Sequence, residues 1–353
     1  MERNTYSANP FSKDTFTCVK GYLAVCVLIH HLHQFTGFLN GTNLGYALTL
    51  LGHWAVVLFM FMSGYALFSS YLSKGDSYIK EFPRTRLLPF YLSYLFFVLI
   101  YTVYETIIGN PPSLAYLLRS VTLGGTIVSF GWYLQLTLIV YIIFYVFKSI
   151  FDDDDVFICA LAISVAAFII ISFFLSVQKN LYEPAFVFFL GVLFAYWKNK
   201  ESLHLINKSV TFTALGLALF TVATVIGTYM VFRHSDIIEA SLIYDMFYLI
   251  IMVCADAALI VFVLSFIVIL KKTAPGIIVN PIGKFLGTYS LEIYVFQGLV
   301  LRILRDFINN EVLYAVVSAI CVILISMPMH KLLKLMKYGF SVMLTKRSYS
   351  RLQ

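Results

Sequence analysis

Three histidines, His30, His31 and His33, stand together with Gln34 near the end of an apolar stretch that opens around Lys20. Imidazole changes charge near neutral pH, which suits a general base or a proton relay. Lys20 and His31 are eleven residues apart, almost three helical turns. A helix would therefore set them on one face, about 16 Å apart along the axis. His33 would point nearly opposite and His30 about 100° away, so His31 is the histidine that shares a path with Lys20. The plainer reading is three interfacial histidines hydrogen-bonded to neighbouring backbone.

Other polar groups interrupt apolar runs. Ser63-Gly64-Tyr65 lies deep in a second stretch that begins at His53-Trp54. A serine beside glycine in such a run is usually a packing contact, because small residues let helices approach closely. As a nucleophile, Ser63 would need a histidine within hydrogen-bond reach. Arg84 and Arg86 sit between Pro83 and Pro89. They fit an anchor on the inner side of a membrane, and equally a grip on phosphate by rigid guanidinium forks. Asp256 and Glu292 each fall inside an apolar run. A carboxylate there must find a partner, whether for structure or for chemistry.

The elements that must position these residues are membrane helices. The chain of 353 residues is 60% hydrophobic and only 12% charged, whereas soluble domains carry about 25% charged residues. Apolar runs at 16–36, 53–73, 87–108, 129–149, 156–177, 182–198, 209–232, 243–270, 285–307 and 312–334 are each near the ~20 residues that cross a bilayer. They predict an all-α polytopic bundle of about ten transmembrane helices, with 1–353 as one membrane domain. Residues 109–128, broken by Gly, Pro and Arg119, read as a loop or interfacial segment.

With the N-terminus inside, twenty of the 25 Lys and Arg fall on the inner side; Arg119, Lys179, Arg233, Arg302 and Arg305 remain outside. That bias places both termini in the cytoplasm. The net charge of +7 is spread between helices rather than gathered on one face, which argues against nucleic-acid binding. Asp152-Asp153-Asp154-Asp155 reads as a solvated turn. The five cysteines, Cys18, Cys26, Cys159, Cys254 and Cys321, lack CxxC spacing and read as buried thiols rather than metal or disulfide partners. No cleavable signal peptide or lipidation motif is expected.

Taken in order, these stretches resemble the acyltransferase-3 family of integral membrane acyltransferases. Lys20 and His31 match a basic residue, ten positions and a histidine. Ser63-Gly64-Tyr65 matches a Ser-Gly-aromatic signature, and Arg86-Leu87-Leu88-Pro89 matches Arg-Leu-x-Pro. Trp132-Tyr133-Leu134 matches a Trp-Tyr-Leu helix start, and Gly287-Thr288-Tyr289-Ser290-Leu291-Glu292-Ile293-Tyr294 resembles the family's penultimate helix. Two positions depart: Pro83 stands where arginine is frequent, with Arg84 shifted by one, and Gln297 stands where histidine is common. The second departure raises the weight on His31.

The resemblance implies transfer of an acyl group, commonly acetyl, from cytoplasmic acyl-CoA to a hydroxyl of a cell-surface polysaccharide or glycolipid. His31 would be the base. Arg86, then Lys20 and Arg84, would hold the CoA, and Ser63, Trp132, Asp256, Glu292 and Tyr294 are further site candidates. Acyl-CoA is then a donor substrate, with no permanently bound cofactor and no metal. The partners are the donor, the glycan or glycolipid acceptor and the lipid of the cell membrane. Some relatives add an extracytoplasmic hydrolase-like domain; this chain is expected to act alone or to hand on to a separate protein. The rival from another class is a proton-coupled transporter or exporter of a glycan or lipid, with His31, Asp256 and Glu292 as relay, although no inverted repeat is visible. A noncatalytic membrane partner would need none of these polar residues.

Overall fold

A hydrocarbon environment offers backbone amides no water, so apolar runs of this length satisfy their hydrogen bonds internally by coiling. The computed structural model describes residues 10–200, 209–234 and 242–349, and its regular elements are all helical. In chain order they are α1 (Lys13–Thr36), α2 (Asn43–Lys74), α3 (Asp76–Phe82), α4 (Leu88–Ile107), α5 (Leu114–Val121), α6 (Trp132–Ile150) and α7 (Asp154–Phe174). There follow α8 (Ala185–Asn199), α9 (Ser209–His234), α10 (Leu242–Thr273), α11 (Pro275–Ile278), α12 (Pro281–Thr288), α13 (Ser290–Arg305) and α14 (Glu311–Tyr349). Among the described residues, 8 helices are long and apolar enough to cross a bilayer. The protein is thus an all-α, multi-pass helix bundle.

All ten apolar runs are helical, with boundaries that differ in instructive places. α2 begins at Asn43, ten residues before the predicted start, because the run from Leu44 to Leu51 continues the apolar pattern. The 285–307 run breaks at Tyr289 into α12 and the 16-residue α13. The segment 109–128 carries the short α5, started by the Ser113 hydroxyl, which accepts from the Tyr116 amide. Asp153 caps α7 in the same way through Val156, while Lys148 pairs with Asp154 at 2.9 Å and Lys200 with Asp155 at 2.7 Å. The acidic run is a helix start. Of the basic residues behind the orientation, Arg3, Lys208 and Arg351 lie outside the described residues.

A π-turn over Pro83–Leu87 joins α3 to α4, and the Leu88 amide bonds back to the Pro83 carbonyl. Pro89 has no N–H to return to the preceding turn, so the chain takes the wider i to i+5 spacing at this place.

The chain divides into two compact units, each assembled from three separate segments. The first comprises Met1–Leu23, His53–Ile79 and Ile142–Gly287. Here α9 packs along α10 and α7 along α8. Glycines set the closest crossings: a side chain on Gly64 would overlap the Phe188 carbonyl, and one on Gly191 the Phe61 carbonyl. Likewise α12 lays Gly287 on the Thr17 carbonyl. Such small-residue contacts replace the hydrophobic drive that lipid cannot supply. The second unit comprises Ala24–Gly52, Lys80–Tyr141 and Thr288–Gln353, with α13 packed along α14. Buried tyrosines tie it together. The Tyr101 hydroxyl donates to the Val295 carbonyl and Tyr314 to that of Leu301, each at 2.9 Å.

The cysteines correct one expectation. Cys18 is buried, Cys26 and Cys321 are half-buried, and Cys159 and Cys254 are exposed. A thiol is apolar enough to sit on the lipid-facing flank of α7 or α10, so an apolar run does not by itself bury it in protein.

Candidate active site

His31 lies in the second unit on α1, with only 6% of its surface exposed. Its ring stacks on Phe130 with centroids 3.5 Å apart and an interplanar angle of 16°. Its Nδ1 is 2.9 Å from Gln34 Oε1. An amide oxygen only accepts, so Nδ1 carries the proton and Nε2 keeps its lone pair. Among the described residues no group hydrogen-bonds Nε2. An imidazole in this tautomer, screened from lipid and held from behind, can accept a proton at Nε2.

The two neighbouring histidines are bound otherwise. His30 Nδ1 donates to the Leu48 carbonyl at 2.9 Å and its ring fills the space left by Gly52. His33 Nδ1 donates to the Phe38 carbonyl at 2.6 Å, with Thr49 Oγ1 on its other nitrogen at 3.2 Å. Backbone carbonyls therefore take the Nδ1 proton of these two, whereas the Nδ1 of His31 meets a side-chain amide.

Phe130 is held from the far side. Its φ of 60° lies in the left-handed region, rare for a residue with a bulky side chain. The Tyr294 hydroxyl donates to its carbonyl at 2.7 Å. Tyr133 meets the Tyr294 ring edge-on at 5.2 Å, and Trp132 meets Tyr133 in turn at 6.4 Å. Three stretches distant in sequence, around His31, Trp132 and Tyr294, thus converge on Phe130.

The remaining candidates are placed elsewhere. Lys20 is half-buried on α1, and Arg84 and Arg86 are exposed on the π-turn. Glu292, on α13 beside Tyr294, faces α14, where its Oε1 lies 2.9 Å from His330 Nδ1. In the first unit, Asp256 is 2% exposed and its Oδ1 lies 3.0 Å from His53 Nε2. Ser63 is half-buried next to the Gly64 crossing, and the Nε2 of His53 on its own helix is directed to Asp256. The neighbouring Tyr65 hydroxyl accepts from Lys198 at 2.7 Å. An apolar groove of about 310 Å³ in this unit is lined by Phe61, Leu190, Phe194, Val261 and Leu264 among others, and by none of the candidates. Among the described residues no group of three His, Cys, Asp or Glu is placed to hold a metal ion.

Three contributors escaped sequence reasoning. Gln34 follows His31 by three residues, a spacing that shares a helix face, and was the readable one. Phe130 needs its backbone angle to be seen, and His330 lies 38 residues beyond its partner Glu292.

A helical membrane bundle that buries a histidine beside a Trp-Tyr helix start defines a class, and comparison with known proteins agrees. The family described as an acyltransferase domain matches residues 14–331, nearly the whole chain. The chain belongs to this family, acyltransferase-3, and is a membrane acyltransferase. No curated protein and no solved structure matches it.

Proposed function

We propose that the protein is an O-acyltransferase of the cell membrane, moving an acyl group, commonly acetyl, from cytoplasmic acyl-CoA to a hydroxyl of a surface polysaccharide or glycolipid. The observation that carries this reading is the His31 tautomer: a buried imidazole whose Nδ1 is committed to Gln34 and whose Nε2 keeps its lone pair. Nε2 takes the acceptor's hydroxyl proton as the oxygen attacks the thioester carbon. The C–O bond forms, the C–S bond breaks, and the proton passes to the departing thiolate, so that CoA leaves as the thiol. Arg86 and Arg84 on the π-turn suit the CoA phosphates, and Lys20, eleven residues before His31 in the sequence, is the further cation assigned to the donor. In this reading both termini lie in the cytoplasm, with the twenty inner cations facing the donor.

Inside-out vesicles test the proposal. Labelled acetyl-CoA supplied outside should leave covalent label on acceptor, and His31→Ala should lower that transfer by about 10²- to 10⁴-fold with protein abundance unchanged. Transfer retained in the variant would reject His31 as base. Movement of a glycan or lipid coupled to pH, without covalent label, would favour the transporter. The buried His53–Asp256 and His330–Glu292 pairs are the feature that keeps that rival specific.

A further inference from the structure

Gln297 on α13 is 0% exposed, and both ends of its amide, Nε2 and Oε1, are buried without a hydrogen-bond partner. A primary amide wholly withdrawn from water and unbonded at both ends is costly, and native interiors rarely keep one without a ligand or water. Its place in the fold says which ligand. Tyr294, one turn earlier, donates to the Phe130 carbonyl. Gly298, the next residue, lies so close that a side chain there would come within 2.5 Å of Ser129 Cβ, 3.0 Å of the Tyr101 hydroxyl and 3.2 Å of the Phe130 ring. Phe130 in turn stacks on His31. Gln297 follows Tyr294 by three residues, about 60° around the axis on the side away from Gly298. The orphaned amide therefore belongs to the helix that braces, through Tyr294 and Gly298, the ring that covers His31.

We infer that Gln297 is a substrate-binding side chain that takes a group able both to donate and to accept a hydrogen bond, as an amide or a hydroxyl does. Resting on the acyltransferase reading above, this gives two sources for one chemistry: an amide of the pantetheine arm of the donor CoA, or the hydroxyl of the acceptor. A thioester carbonyl alone, which only accepts, would leave Oε1 unbonded. The close approach at Gly298 fits the same picture, since it fixes the α13 backbone against Phe130 and leaves position 297 as the nearby polar handle.

The test uses the full-length protein in lipid nanodiscs, comparing wild type with Gln297→Met, which keeps length and shape and removes both hydrogen-bonding ends. Binding of labelled acetyl-CoA is measured without acceptor, and transfer of the label is then titrated with acceptor-bearing membranes from cells lacking the gene. Acetyl-CoA binding weakened at least tenfold assigns the amide to the donor arm, and S-ethyl thioacetate, which has neither an amide nor a hydroxyl, should then be used equally by both proteins. Unchanged acetyl-CoA binding with at least tenfold more acceptor membrane needed for half-maximal transfer assigns it to the hydroxyl. In either case the substrate-free melting temperature should hold or rise, because an unbonded polar group has been removed. A variant equal to wild type in both measurements overturns the inference. So does a fall in melting temperature with both measurements unchanged, which would make the amide structural. Should the methionine variant not accumulate, Gln297→Leu is read in the same way, and failure of both to accumulate also makes the amide structural. Absence of transfer by the wild-type protein would instead reject the acyl-CoA reading itself, a result separable from any behaviour of position 297.

Discussion

Gln34 accepts the Nδ1 proton of His31, so its replacement by leucine leaves a buried N–H unbonded and the tautomer free to switch. A buried donor stranded in this way costs about 1–3 kcal/mol. Gln34→Leu should therefore slow acyl transfer about tenfold to a hundredfold without abolishing it, as measured by initial rates at saturating acetyl-CoA. Phe130→Gly removes the stacking surface and relieves the left-handed backbone, which a Cβ strains in alanine as in phenylalanine, so the eased backbone should offset part of the lost packing in the melting temperature. Its transfer rate should nonetheless fall about tenfold, because the imidazole loses the plane that orients it; an unchanged rate would make the stacking incidental. These two residues also mark how far the sequence could be read at this scale. His31 stood out through type and spacing, and Gln34 was recoverable from its three-residue offset. Phe130 was not, because its role lies in a φ angle and in a hydroxyl contributed by Tyr294, 164 positions away.

At the scale of elements, glycine replaces side-chain packing wherever backbone meets backbone. Gly64 and Gly191 bring α2 against α8 from both sides, each filled by the other helix's carbonyl. Gly64→Val should thus cost more than the ~1–3 kcal/mol typical of overpacking, because a carbonyl cannot step aside as a side chain can. The expected outcome is loss of the monodisperse peak in detergent gel filtration, whereas Ser63→Ala beside it should elute normally. Helix existence was legible from apolar runs, since length and composition suffice to decide what spans a bilayer. Boundaries were less so. α2 starts early because Leu44–Leu51 is apolar but interrupted by Gly45, Tyr46 and Thr49, and the break at Tyr289 between α12 and α13 has no proline to announce it. Partners were hardest. Asp256 needed a partner on energetic grounds alone, but that it is His53 follows only from the packing of α2 with α10.

For the whole molecule, the bias of basic residues predicts that tags at both ends are cleaved by added protease in inside-out vesicles and protected in right-side-out ones; protection of either tag in inside-out vesicles would overturn the cytoplasmic assignment. The two compact units were not visible in advance as such, because each draws on three separated segments and hydropathy reports only the local chain. This organisation bears on how the protein is made. The ring of His31 is inserted near the beginning of synthesis, yet the hydroxyl that secures its cover belongs to Tyr294. A ribosome halted anywhere between them would leave the imidazole already in the bilayer with its cover unsecured. With His31 as the proposed base, competence for transfer would arrive late and at once, as the last two helices leave the translocon.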